Sequence, residues 1–112
     1  MKSVRIDTSR ITGRRSFHTA FAEALGFPDF YGRNMNAWID CMTSLDDPDA
    51  GMTNVHVAPG EVLVLALGNV SSFAQKCPEL YRALVECVAF VNYRRMVAGE
   101  QAVLLLSFCN DQ

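Results

Sequence analysis

A chain of 112 residues, half of them hydrophobic, suits a single domain that closes one core without disulfide or metal support. Charged residues at 20% and the absence of a long low-complexity tract argue against global disorder. The formal charge of −2 and a pI near 5.6 speak against general nucleic-acid binding, which calls for a basic stripe. The only dense early basic group, Arg10, Arg14 and Arg15, suits a solvated loop.

The N-terminal residues MKSVRIDTSR lack the apolar core of about seven to fifteen residues that a signal peptide uses. No apolar run approaches the roughly 20 residues that cross a bilayer. The expectation is a soluble, cytoplasmic protein. Cys41, Cys77, Cys87 and Cys109 form no CxxC pair, and His18 and His56 stand far from them in sequence. They read as small apolar residues of a reduced protein, and no metal or other cofactor is expected.

In chain order, Val4 and Ile6 alternate with Arg5 in residues 3–7, the pattern of a half-exposed or edge strand. After a polar turn, Ser16 is a candidate cap for a helix reaching Gly26, with Phe17, Phe21, Ala24 and Leu25 at helical spacing. Gly26 suits a left-handed C-terminal position, and Pro28 prevents continuation. Asn34 caps a second helix to about Leu45. Residues 46–60 form a long connection in which TNVHV could be a short extended piece. EVLVLALG then reads as a strand covered on both faces. A short helix is expected over 71–76. Pro78 opens a longer one to about Ala98, with Leu80, Leu84, Cys87, Val88 and Val91 on one face, and Gly99 ends it. AVLLLSF reads as a second fully buried strand. Strands separated by helices predict a small parallel α/β sheet with right-handed crossovers.

On a wheel of the second helix, Met35, Trp38, Ile39, Met42 and Leu45 fall within roughly 120°, a core-facing stripe in which Trp38 belongs to the core. Asn36, Asp40, Thr43 and Ser44 lie opposite, and Asn36 and Asp40 form an i, i+4 pair directed into solvent. Such a pair is ordinarily the wet face of an amphipathic helix. Gly32 and Tyr31 chiefly set the preceding turn, glycine by tolerating positive φ and tyrosine by covering the helix end. Phe30, an aromatic outside the periodic elements, needs a pocket or a partner.

The segment FPDFYGRNMNAWIDCMTSL, residues 27–45, resembles the signature of the barstar family. That signature is a proline, an acidic residue, two aromatics, glycine, a variable residue, asparagine, then an acid-bearing helix ending in Asp-Cys. Phe17, His18, Phe21 and Leu25 match the family's first-helix pattern, and the closing strand also corresponds. Residues 46–60 are longer than the family's connection. The resemblance implies one barstar-like domain over 1–112, a three-stranded parallel sheet packed with about four helices. It implies a protein that is not an enzyme: an intracellular immunity or antitoxin-type inhibitor of a basic ribonuclease or related nuclease toxin, touching neither nucleic acid nor membrane.

The site implied is the second helix and its preceding loop, which would plug the enzyme's active site. Asp40 would stand where RNA phosphate binds, facing cationic side chains. Phe30 matches an aromatic that packs on the enzyme, Asn36 the first helix acid, and Ile39 an interfacial tryptophan. Tyr31, Gly32, Arg33, Thr43, Ser44 and Asp46 complete the implied surface. Charge-assisted hydrogen bonds to guanidinium groups are strong, and opposite fields speed association, a principle for which barstar itself is a usual example. Such mimicry requires the Asp40 carboxylate to stand outside the fold, unpinned by a cation of its own chain.

Several positions depart from the family. Asn36 lacks the acid's charge, and Arg33 stands where an acid is known. Arg94 or Arg95 falls at a late-helix glutamate, although an offset of a turn or two brings in Glu86. Asp46, Asp47 and Asp49 could compensate if they border the same surface, although DDPDA also reads as a solvated turn. A second reading stays open, a regulatory module presenting the same helix to a non-nuclease protein. Enzymatic function has little support: no Cys–His–acid set, phosphate-cradling glycine loop or HxxE-type metal pattern occurs.

Overall fold

The strand β2 (Leu63–Gly68) lies at the centre of a parallel sheet between β1 (Lys2–Asp7) and β3 (Leu104–Cys109) in the computed structural model, which describes residues 1–110. Spatial order follows chain order, so each right-handed crossover lays its helices on the same side of the sheet. On that side Leu63, Leu65 and Leu67 are fully buried, in register with Val4 and Ile6 of β1 and with Leu104 and Leu106 of β3. The opposite face, formed by Ser3, Arg5, Val64, Ala66, Leu105 and Ser107, is exposed or half-buried. Two strands expected to be covered on both faces are therefore covered on one. β3 is an edge strand whose Leu105 and Phe108 reach solvent.

Four helices complete the expected architecture: α1 (Arg14–Leu25), α2 (Met35–Thr43), α3 (Val70–Lys76) and α4 (Pro78–Val97). α1 begins earlier than expected, with Gly13 at its cap. Ser16 sits three residues inside, where its Oγ accepts from the amides of Thr12 and Gly13 at 2.8 and 3.1 Å. It still satisfies the orphan donors of the helix start, from within the first turn. Gly26 closes α1 at φ 67°, and a Cβ there would meet Asn54 at 2.5 Å. Phe17, Phe21 and Leu25 enter the core beside Trp38, whose ring meets Phe21 edge-on at 5.6 Å. Cys41 and Cys87 are buried among them. Burial pushes both thiols up, that of Cys41 to about 11.

The long connection is tied down at several points. The Asn54 amide donates to Leu25 O at 2.8 Å, and the Val57 amide donates to Leu45 O at 3.1 Å. Thr53 and Val57 are buried. Residues 53–57 form no strand; their backbone serves helix ends rather than the sheet.

Arg95 joins the layers. Nearly fully buried, it holds Asp46 with both arms, Nη1 to Oδ1 at 3.0 Å and Nη2 to Oδ2 at 2.8 Å. It also donates to Thr43 O at 2.9 Å and to Gln101 O at 2.8 Å. One guanidinium thus binds the end of α2, the loop after it and the approach to β3. Removing one partner of such a pair strands the other, at about 3–5 kcal/mol when both are fully buried. Asp46 retains some access to water, so Arg95→Met should lower stability by about 3 kcal/mol. Urea unfolding checks this; a loss below about 1 kcal/mol would remove Arg95 from this role.

Candidate functional site

The loop before α2 is shaped by aromatic packing. The Tyr31 amide donates to Pro28 O at 2.9 Å, closing a turn that leaves Phe30 at its tip, 75% exposed. Tyr31 turns inward, its ring 4.7 Å from that of Phe27 and its hydroxyl hydrogen-bonded to His18 Nδ1 at 2.6 Å. The left-handed residue of the turn is Arg33, at φ 54°, and not Gly32 as the sequence suggested. A non-glycine residue in that region is strained, and it is held where its surroundings over-determine it. The Arg33 guanidinium supplies the restraint, donating from Nη2 to Arg15 O at 3.0 Å and to Thr19 Oγ1 at 2.6 Å on α1. Asn34 then caps α2, its Oδ1 accepting from the Ala37 amide at 2.8 Å.

Along α2 the expected faces separate. Trp38 and Met42 are fully buried, and Asn36 and Asp40 point outward. Ile39 is only 8% exposed and packs in the core, which leaves almost none of it for a partner. Thr43 and Ser44 are half-buried; Thr43 Oγ1 donates back to Ile39 O at 2.6 Å, and Ser44 caps the helix C-terminus. Asp46 serves the fold. The hydrogen bonds from Arg95 hold its carboxyl below the usual range, and it cannot compensate for acids missing from the outward face.

Asp40 is exposed, its side chain 60% accessible, and it is not free. Arg94 of α4 donates from Nη1 to Asp40 Oδ1 at 3.0 Å. A carboxylate unpinned by its own chain is thus corrected to one already paired. Four residues on from Phe90, Arg94 stands on the α2-facing shoulder of α4, while Arg95 turns into the core. Sequence reasoning placed both arginines near the family's late-helix acid without showing which would face α2's outward side. It also missed the apolar Phe90, Tyr93 and Val97 beside them, all exposed. Continuing the α4 wheel past its buried stripe would have found them.

The sequence matches the family described as Barstar (barnase inhibitor) over residues 1–107. The chain belongs to the barstar family. This is a family of ribonuclease inhibitors rather than enzymes, so the general partner class is a ribonuclease. No curated protein matches the chain. Among the described residues, no helix is long and apolar enough to cross a membrane.

Within this barstar-family fold, His18 couples the loop to pH. Burial, then the nearby Arg33 and Arg14, hold its pKa below the ordinary value, while burial raises that of Tyr31. The folded chain therefore resists a proton that the unfolded chain accepts below pH about 6.5. Stability from this group is present above that pH and is lost as pH falls through it toward the lower folded value. Urea unfolding should show wild-type stability declining between pH 7.5 and 5.5, with a smaller decline for His18→Gln. Equal declines would exclude His18 as the cause.

Proposed function

We propose that this chain is a cytoplasmic immunity protein, of the toxin–antitoxin kind, that blocks the active site of a basic ribonuclease with α2 and the loop before it. The carrying observation is Asp40, an accessible carboxylate on the outward face of α2 in a ribonuclease-inhibitor family. A site that holds RNA phosphate is lined with cations, and a positioned carboxylate meets them as phosphate does. Asp40 does not meet the stricter expectation of a carboxylate unpinned by its own chain, but its pair with Arg94 lies on the surface and can exchange partners. Exposed ion pairs contribute about 0–1 kcal/mol, whereas hydrogen bonds to a charged group contribute about 1.5–3 kcal/mol. A partner's guanidinium in a water-poor interface can therefore take over Asp40.

The loop supports the same reading. Phe30 projects from a turn fixed by Tyr31–His18 and by Arg33, so presenting its ring requires little further ordering on binding. Asn36 and Gly32 are also exposed.

Inhibition should be measured against barnase and against any ribonuclease encoded beside this gene. Wild-type protein is expected to inhibit at least one of them, and Asp40→Asn should weaken that inhibition by about 10- to 150-fold. Full activity of every such enzyme at micromolar protein would end the proposal. Arg33 and Arg94 on the same face favour a second reading, a regulatory module with a non-nuclease partner. Capture of a partner that is neither basic nor an enzyme, with these ribonucleases unaffected, would select it.

A further inference from the structure

The outer edge of β3 is bare of the features that ordinarily keep an edge strand from pairing with another chain. Charged side chains, prolines and bulges serve that purpose. β1, the other edge, carries Lys2, Arg5 and Asp7. Residues 102–109, AVLLLSFC, hold no charge and no proline, and β3 runs beside β2 in unbroken register. Its Leu105 and Phe108 reach solvent. An apolar edge strand of this composition is a template for the addition of a further strand.

The Leu63 amide donates to Val103 O at 2.8 Å, and in a parallel ladder the odd-numbered residues of β3 then turn their backbone groups to β2. Leu104, Leu106 and Phe108 therefore turn theirs outward. The first of these is already taken. Asn92 of α4, half-buried, donates from Nδ2 to Leu104 O at 3.0 Å. Its Oδ1 accepts from the amides of Val103 and Leu104 at 2.9 and 3.1 Å. One side-chain amide thus offers Leu104 the donor and the acceptor that a neighbouring strand would bring.

We propose that Asn92 guards the β3 edge: its side chain holds the backbone groups through which β3 of a second copy would join the sheet, and so keeps the free chain monomeric. A second copy is the strand to be excluded because β3 is its own complement. In the two-fold antiparallel register that uses the whole strand, Leu106 meets Leu106, and Leu104 of each copy meets Phe108 of the other. No like charges would face each other across that pair. Asn92 takes Leu104 on both copies, so both outer pairs are lost and only the central one remains. Guarding the edge concerns the free chain and does not depend on the inhibitor reading.

Sedimentation equilibrium and amide hydrogen exchange of the full chain test this. Wild type should stay monomeric to about 0.3 mM, with the amides of Leu106 and Phe108 exchanging quickly. Asn92→Ala should self-associate with rising concentration, and those two amides should slow by about tenfold or more as it does. Asn92→Ala with Leu105→Lys, which sets like charges on neighbouring strands, should return to the monomer. Circular dichroism and thermal unfolding establish that the variants are folded. Asn92→Ser, too short to span both backbone groups of Leu104, replaces the alanine variant if that one is not. A folded variant that remains monomeric would reduce Asn92 to a tie between α4 and β3 and overturn the proposal. Association that leaves the Leu106 and Phe108 amides unprotected, or a wild-type dimer that protects them, would overturn it as well.

Discussion

Two consecutive arginines of α4 hold α2 from different sides, and the proposed recognition surface depends on that grip. Arg95 reaches inward to Asp46 and fixes the C-terminal end of α2 against α4 and the approach to β3. Arg94 reaches across the surface to Asp40. The first contact is buried and mainly structural; the second is exposed and weak. The difference follows from the 100° turn between neighbouring helical residues, which sends one guanidinium into the core and leaves its neighbour at the rim. A helix of only nine residues has little stability of its own and draws its position from such contacts.

The consequence is a surface near electrical neutrality. Asn36 carries no charge, Asp40 is paired, and Arg33 is spent on positioning the loop. Association with a cationic enzyme would therefore gain less from long-range attraction than an acidic surface provides. Preorganisation and apolar contact carry correspondingly more. The strained Arg33 backbone and the Tyr31–His18 bond hold the loop before any partner arrives. Rigid presentation lowers the ordering penalty of binding, which an exposed aromatic on a mobile loop would have to meet.

Much of this was legible in the sequence wherever a local period carried it. The Asn34 cap, the core position of Trp38 and the outward direction of Asp40 follow from spacing within a dozen residues. Arg94 meeting Asp40 does not, because 54 residues separate them and only the packed helices bring them together. The open side of the sheet was hidden for another reason. EVLVLALG and AVLLLSF are apolar at nearly every position, so no alternation distinguishes a covered face from an open one. Helical spacing puts Ile39 in the core stripe, whereas the family resemblance implies a partner contact for it; its burial favours the core. The left-handed turn fell on Arg33 instead of Gly32 because a long-range anchor on α1 outweighed the intrinsic preference of glycine.

The most direct measurement is the dissociation constant of the ribonuclease complex for Arg94→Ala beside wild type at low ionic strength. If a partner's cation displaces Arg94 from Asp40, removing Arg94 removes a competitor, and binding should tighten by up to about fivefold, the worth of one exposed ion pair. Weakening of Arg94→Ala to the level of a variant lacking the Asp40 charge would contradict the account. The arginine and the carboxylate would then act on the partner as one unit, and Asp40 would not be the exchangeable group from which the mechanism is built.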